Sequence, residues 1–487
     1  MISNEQKKSI GLEFVLEKII CNTPYGAEKV RNLKLYKSDE SHILTNELEN
    51  VKKVLDNLIP LKDEFDSLER GLMQFKEIRN SVKKISREVD GILDEIELFE
   101  IKNFLLALEK TVNIFDSMNR EIDFIDIGFK QMEEALNLLD PEKQRISSFY
   151  ISDTYSEELK QVRVERKKLE NEILNKAQNS DELKRNRLEI VCREDELVTG
   201  IKIMITKKLG HFASDFNRNI ENVGKLDFII QKGKLAREFK AVYPRICDDK
   251  LKFENVFNPH IEHILNARNK QFTKISICLE NRTTLLTGAN MGGKSVALKT
   301  FILNVLMFQM GFFVFADSAE IPIFENINLI SEDLQDVDKG LSTFGAEIIK
   351  LQSIIFESRK GLSFIALDEF ARGTNPKEGA ILVRSVAQYF NDKKNTITLI
   401  TTHYDLEDVE QFDHYQVVGL KNVDMSELKQ KIKLKASKSM SLIAEYMDYS
   451  LEKSSGDRQI PKDALNICKL LSIDENLLKI IESNNNF

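Results

Sequence analysis

Neither a disulfide framework nor a zinc site can be read in this 487-residue chain, because its five cysteines (Cys21, Cys192, Cys247, Cys278, Cys468) are scattered, odd in number and never spaced C-x-x-C. They read as structural thiols of a reducing compartment. An excess of basic charge is also lacking: 70 Lys and Arg stand against 78 Asp and Glu, a formal charge of -8. That balance argues against a chain-wide polybasic surface for nucleic acid, so any such contact has to be argued from a local face. The N-terminus, Met1 to Lys8, is too polar for a secretory signal. Phe301 to Ala316 is the stretch most easily mistaken for a membrane span, yet it is too short, contains Asn304 and Gln309 and is broken at Gly311. It reads as a buried helix running into a strand at Phe312–Phe315. These absences predict a cytoplasmic protein with no membrane role.

With 42% hydrophobic and 30% charged residues, the chain can fold into two to four domains, each with its own core. The first 150 residues have few prolines and a helical apolar period. Val82, Ile85, Val89, Ile92, Ile96 and Phe99 recur three and four apart, and Ile101, Phe104, Leu105 and Leu108 continue the face. Helices packing on helices, as a mechanical arm, is the reading. From Ser156 to Asn179 mixed charge predicts a solvated helix. Leu188–Val191 suggests a short strand, after which Val198–Leu209 and Phe228–Phe239 resume helical patterning. Composition turns β-rich near Tyr243-Pro244, which places an α/β domain at about 245–435, and the tail to 487 reads as helical, with Pro461 in a first helical turn.

Gly288-Ala289-Asn290-Met291-Gly292-Gly293-Lys294-Ser295 completes the pattern G-x-x-x-x-G-K-[ST], between an apolar strand-like stretch at Thr284–Thr287 and a helical one. Glycines let successive N–H groups turn toward β- and γ-phosphates, Lys294 adds a point charge, and the Ser295 hydroxyl can ligate Mg²⁺. ATP or GTP is the expected ligand. About 70 residues on, Leu362 to Glu369 is an apolar run ending in two carboxylates, which reads as a buried parallel strand delivering acids to its C-terminal edge. Asp368 can hold Mg²⁺ through water and Glu369 can act as a general base, so the pair points to hydrolysis.

Between these elements, Gly340-Leu341-Ser342-Thr343-Phe344 precedes a helical pattern at Glu347–Phe356, where Ser342 on its own would be an ordinary helix cap. A second strand-like run, Thr396–Thr401, ends in Thr402-His403-Tyr404. A lone His after a strand is usually structural, but here it falls at the edge where α/β folds gather ligand-binding groups, and it can sense a γ-phosphate. His260 and His263 form an H-x-x-H pair without a carboxylate-rich zinc context and read as surface or core histidines.

TGANMGGKS, LSTF, LDEFARGT and TTHY, in this order over about 120 residues, resemble the MutS family of ABC-type ATPases. The resemblance implies ATP and Mg²⁺ as ligands and a homodimer whose ATPase domains meet head to tail, each nucleotide held by one subunit's loop and the other's serine element. It implies that Gly288, Asn290, Met291, Gly292, Gly293, Lys294 and Ser295 bind phosphate and metal, that Asp368 binds Mg²⁺, that Glu369 is the base and His403 the switch, and that Ser342 acts in trans. Phe272 lies near where the family stacks an aromatic ring on adenine. The implied fold is multidomain. It comprises an all-α lever at 1–155, a shortened clamp-like insertion at 156–205, returning lever helices at 206–244, an α/β P-loop domain of ABC type at 245–435, and a small helical dimerisation element at 436–487.

Departures from the family pattern bear on the client. The resemblance implies a start at the lever, without the mismatch reader and connector, and Phe75-Lys76-Glu77 reads as sitting inside a helical run without the glycine context of the family's mismatch wedge. Ala289 replaces a usual proline, and Ile460 to Leu465 replaces a usual Ser-Tyr-Gly stretch. The resemblance makes mismatched or branched DNA, in DNA mismatch repair, the default client. Its alternative is a protein client, because short MutS-like proteins of this build are implicated as reactivating factors for adenosylcobalamin-dependent lysine or ornithine aminomutases.

Overall fold

The computed structural model describes the chain apart from residues 1–2, 87–90, 176–180, 281, 289–292, 332–342, 405, 407–408, 425–427, 429–445, 455–473, 475, 478–482 and 484–487. Two compact units are present, one made of Met1–Ile19, Lys34–Glu49 and Lys234–Phe487, the other of Ile20–Leu33 and Asn50–Gly233. They do not follow linear boundaries. In the first unit the N-terminal segments are fastened to α/β sequence by buried amides: Gln6 Nε2 donates to Leu329 O at 3.1 Å, Gln309 Nε2 to Tyr36 O at 2.9 Å and Asn258 Nδ2 to Ile10 O at 2.9 Å.

The helices run, in chain order, α1 (Asn4–Ser9), α2 (Leu12–Leu16), α3 (Pro24–Arg31), α4 (Ser41–Asn57), α5 (Lys62–Leu72), α6 (Arg79–Ser86), α7 (Glu95–Ile122) and α8 (Glu133–Leu139). There follow α9 (Glu157–Asn175), α10 (Asp181–Gly210) and α11 (Ala213–Glu238), then the α/β part: β1 (Arg245–Ile246), β2 (Lys250–Val256), α12 (Pro259–Asn266), β3 (Ile275–Glu280), β4 (Thr283–Thr287) and α13 (Lys294–Gln309). The last elements are β5 (Ser318–Ile321), β6 (Asn326–Ile330), α14 (Thr343–Glu357), β7 (Ser363–Asp368), α15 (Pro376–Asn391), β8 (Thr396–Thr401), β9 (Asp413–Gly419) and β10 (Asp448–Lys453).

The helical unit departs from the sequence reading at two places. The apolar period across 82–99 is interrupted: residues 91–93 are not helical, and Asp94 starts α7 with a capping box, accepting from the Glu97 N–H while the Glu97 carboxylate accepts from its own. Val82 and Ile85 on α6 are buried as that period requires, Val89 lies outside the described residues, Ile92 and Ile96 are exposed, and the buried face resumes with Leu98, Ile101, Phe104, Leu105 and Leu108. Leu188–Val191 is no strand but lies inside α10, where four apolar-rich residues cannot overrule the flanking helical period that buries Ile201, Ile205 and Leu209. At a rise of about 1.5 Å per residue, α9 and α10 make arms of roughly 28 and 45 Å.

Among the described residues the α/β part holds a four-stranded sheet in the order β1-β5-β2-β3 and a six-stranded one in the order β10-β9-β4-β8-β7-β6. The second sheet is parallel from β9 to β6. Its central strands β4, β7 and β8 are buried along their whole length, which is why they read as unbroken apolar and threonine runs rather than as alternation. α13 is buried nearly all round, with Phe301 and Phe308 fully enclosed, each worth about 2–3 kcal/mol of transfer free energy. That accounts for its membrane-like composition; among the described residues no helix is long and apolar enough to cross a membrane. After it the chain turns at Gly311, but Phe312–Phe315 forms only the single bridge Val314–Val242 instead of a strand. In the expected helical tail, Asp448–Lys453 is instead the strand β10, antiparallel to β9. Its alternating Asp448-Tyr449-Ser450-Leu451 suits a half-buried edge, and the sheet thereby extends beyond 435.

Candidate nucleotide site and its relatives

Parallel order brings the C-terminal ends of β4, β7 and β8 to one edge, and the chemistry-bearing residues follow directly from those ends. Gly288 leaves β4 at φ 140° and Gly293 enters α13 at φ 83°, backbone conformations that residues other than glycine seldom adopt. Close approach adds a second constraint: a Cβ on Gly288 would lie 3.0 Å from Val417 Cβ, and one on Gly293 3.0 Å from the ring of Tyr449 on β10. With Gly293 as its N-cap, α13 has no side-chain cap, which leaves its first N–H groups for an anion.

Lys294, 4% exposed, donates to Gly288 O at 2.8 Å and stands 3.8 Å from Glu369 Oε1. Burial pulls its ammonium below the usual lysine range, against the opposing pull of Glu369 and Asp368. Asp368, equally buried, accepts on one oxygen from the Ser295 hydroxyl at 2.9 Å and the Thr401 hydroxyl at 2.7 Å. Adjacent oxygens of Ser295 and Asp368 beside a buried cation fit a hydrated Mg²⁺ carried in with a polyphosphate. An all-protein cage is a different arrangement, and among the described residues no cluster of three or more His, Cys, Asp or Glu could form one.

Glu369 follows at φ 49°, with its N–H bound to Thr401 O at 3.2 Å and Thr401 Oγ1 at 3.0 Å. Its carboxylate is mostly buried, 3.0 Å from Arg372 Nη1 and 4.0 Å from His403 Nδ1. Burial lowers the His403 imidazole pKa from its ordinary value, with Glu369 opposing. The turn continues through Ala371 at φ 63°; a left-handed residue with a Cβ costs about 1–2 kcal/mol. Two neighbours hold that residue: its N–H donates to Glu347 Oε2 at 3.0 Å, and its carbonyl accepts from the Tyr404 hydroxyl at 2.9 Å.

The structure thus brings Gly288, Gly293, Lys294, Ser295, Asp368, Glu369 and His403 to one edge. Asn290, Met291, Gly292 and Ser342 lie outside the described residues. Phe272 is half-buried in the connection from α12 to β3, a strand of the other sheet. His260 and His263 flank Phe14, with ring centroids 5.0 and 5.2 Å away. Sequence reasoning assigned nothing to Thr401, Arg372, Glu347 or Tyr404. Thr401 was within reach, since it ends β8 in register with Asp368 at the end of β7.

A family model for MutS domain V matches residues 284–463, which contain the loop, both acids and His403. Over those residues the chain is similar to MutS domain V. Endonuclease MutS2 of Staphylococcus aureus (strain Newman) is 30% identical over 217 residues, covering 44% of this chain and 27% of that relative. Endonuclease MutS2 of Lactobacillus acidophilus (strain ATCC 700396 / NCK56 / N2 / NCFM) is 25% identical over 443 residues, 77% of this chain and 54% of the relative. The chain therefore spans about half or less of the curated relatives it matches. MutS domain V is a P-loop ATPase fold, and MutS-family proteins bind ATP, typically with Mg²⁺, which suits the Lys294, Ser295 and Asp368 constellation.

Proposed function

We propose that this site hydrolyses ATP, with Glu369 as general base. The observation that carries the reading is the convergence of Lys294, Ser295, Asp368 and Glu369 on one sheet edge, with Ser295 hydrogen-bonded to Asp368 and Lys294 in ion-pair range of Glu369. Lys294 and the N–H groups opening α13 bind the phosphates; Ser295 and Asp368 hold Mg²⁺, which supplies charge neutralisation when bound. Glu369 orients a water and accepts its proton, and His403, neutral near pH 7, reports on the terminal phosphate through its neighbour. Asn290, Met291 and Gly292 complete the loop, and Phe272 stacks on the base.

The reading extends to a homodimer with Ser342 reaching the partner's nucleotide, so that closure moves the lever helices on a client in the cytoplasm. DNA, mismatched or branched, is the client favoured by kinship with proteins named Endonuclease MutS2. A second reading, a protein client such as a cobalamin-dependent aminomutase, draws on the arms α9 and α10. Four of their five guanidiniums are engaged by carboxylates, Arg163 with Glu194 and Asp153, Arg166 with Glu194, Arg187 with Glu170 and Arg193 with Glu158.

The test is Mg²⁺-dependent ATP turnover by the purified chain with and without duplex, mismatched and branched DNA at low salt, beside Lys294→Ala. Turnover that Lys294→Ala abolishes supports the site, and turnover or binding that responds to DNA supports the client. Equal rates in both proteins would sink the first, and indifference to DNA at low ionic strength the second.

A further inference from the structure

We infer that Glu347 is a positioning residue for Glu369: through the Ala371 N–H it holds the left-handed turn that aims the hydrolytic carboxylate, and it ties that turn to the helix beginning at Thr343. The inference rests on the hydrolytic reading of Glu369. Glu347 lies one turn into α14 and is 5% exposed, among Phe344, Ile348 and Leu351, which pack into the core below the sheet edge. A carboxyl in such surroundings needs a hydrogen-bond partner, and an apolar side chain would fill the space without one. Its partner is the N–H of Ala371, at 3.0 Å. Burial raises its pKa above the usual carboxylate range, against the smaller opposing pull of the Ala371 N–H.

The turn from Glu369 to Ala371 contains two left-handed residues that are not glycine, a conformation that persists only where neighbours over-determine it. Three elements supply that constraint. β8 holds Glu369 through Thr401, α14 holds the Ala371 N–H through Glu347, and the segment after β8 holds the Ala371 carbonyl through Tyr404. The Tyr404 ring reaches Ala371 across α15 only because residue 379 is glycine: a Cβ there would stand 2.4 Å from the Tyr404 hydroxyl. His403 is the residue before Tyr404, and its ring packs on the tyrosine at 4.4 Å between centroids. Glu347 thus braces, from α14, the Ala371 end of the contacts that hold the base and its histidine neighbour, without touching either.

The experiment compares Glu347→Gln, which keeps an acceptor for the Ala371 N–H, with Glu347→Leu, which fills the space and removes it. It reads kcat, KM for ATP, binding of a fluorescent ATP analogue, melting temperature, and amide exchange over residues 370–373. Misplacing a reacting group by about 1 Å can lower a rate on the order of 100-fold. Glu347→Leu is therefore expected to lower kcat at least ~10-fold with nucleotide affinity within ~3-fold, and to speed exchange at Ala371, while Glu347→Gln stays within ~3-fold of wild type. Tyr404→Phe, which loosens the same turn from its other side, should lower kcat by a smaller factor at unchanged affinity, and it carries the test if Glu347→Leu does not fold. Unchanged kcat in both variants overturns the inference. So does a joint loss of affinity, melting temperature and kcat, the mark of a merely structural residue, or a Gln variant as slow as Leu. Wild-type turnover no faster than Lys294→Ala sinks the hydrolytic reading and the inference with it, an outcome distinct from active wild type with an unaffected Leu variant.

Discussion

Two buried lysines in different units have almost the same exposure and opposite meanings. Lys102, on α7, donates to Asp140 at 3.1 Å and to Ser148 O at 2.9 Å, and Asp140 also accepts from the Arg145 N–H at 2.8 Å. Burial pushes the Asp140 carboxyl up, but the Arg145 N–H and Lys102 outweigh it and hold the group below the usual range. Lys294 meets its carboxylate only at 3.8 Å and binds a carbonyl of its own loop, between glycines in left-handed backbone at the edge of a parallel sheet. Depth of burial does not separate the two. The separation lies in geometry: Lys102 sits in a closed ion pair that braces helices, whereas Lys294 is held near its acids at a helix N-terminus without a side-chain cap.

The sharpest way to break that comparison is a double dissociation. Lys294→Ala should remove ATP turnover, at least about 1,000-fold, and leave the melting temperature level or higher, because a desolvated cation has gone. Glu369→Gln should lower kcat by about 100- to 10,000-fold with ATP still bound, measured by single-turnover chemistry beside equilibrium binding. Lys102→Met should do the reverse. Leaving Asp140 buried and without its lysine should destabilise by about 3–5 kcal/mol in denaturant melts, while turnover per folded molecule holds. A Lys102→Met protein as stable as wild type would mean that the pair contributes little and that the contrast with Lys294 is false.

The same contrast explains what could be read from the sequence. Gly288, Lys294, Asp368, Glu369 and His403 were legible because each sits within a few residues of a strand end, where local order on the chain becomes proximity on the sheet edge. Glu347 and Tyr404 were not, since their shared partner Ala371 depends on where α14 and the segment after β8 dock, which has no local signature; Thr401, at the end of β8, was within reach. The β10 strand escaped for a related reason: Asp448–Lys453 is a strand because β9 offers an edge, not because of any strong preference of its own. In the helical unit, the period held at Val82 and Ile85 but misled at Ile92 and Ile96, because helical spacing persisted across the Asp94 cap.

A gentler probe of the site is pH. Burial lowers the His403 pKa below the ordinary value of about 6.5, so on acidification the unfolded chain takes up the proton first. The stability that neutral His403 contributes is complete above that ordinary value and is lost as pH falls below it toward the folded pKa. His403→Gln should therefore show a shallower fall in melting temperature between pH 7 and 5 than wild type. An identical slope in the two proteins would place the imidazole in a more solvated setting than its contacts imply.

The smallest effect is expected on the arms, where charge is abundant but paired at the surface. Arg187 with Glu170 and Arg193 with Glu158 are exposed pairs at 3.3 and 2.8 Å, of the kind whose removal seldom registers in stability. Arg187→Ala with Arg193→Ala should leave the melting temperature nearly unchanged, in contrast to Lys102→Met. Weak pairing also means that either guanidinium can be surrendered to a stronger anion. If duplex DNA is the client and these arms meet it, the double variant should reduce the slope of log affinity against log salt by about 2, roughly 0.9 for each phosphate that an arginine no longer neutralises. A slope unchanged by the substitutions, with affinity also unchanged, would show that these carboxylates keep their arginines from phosphate and would favour a protein client for the arms.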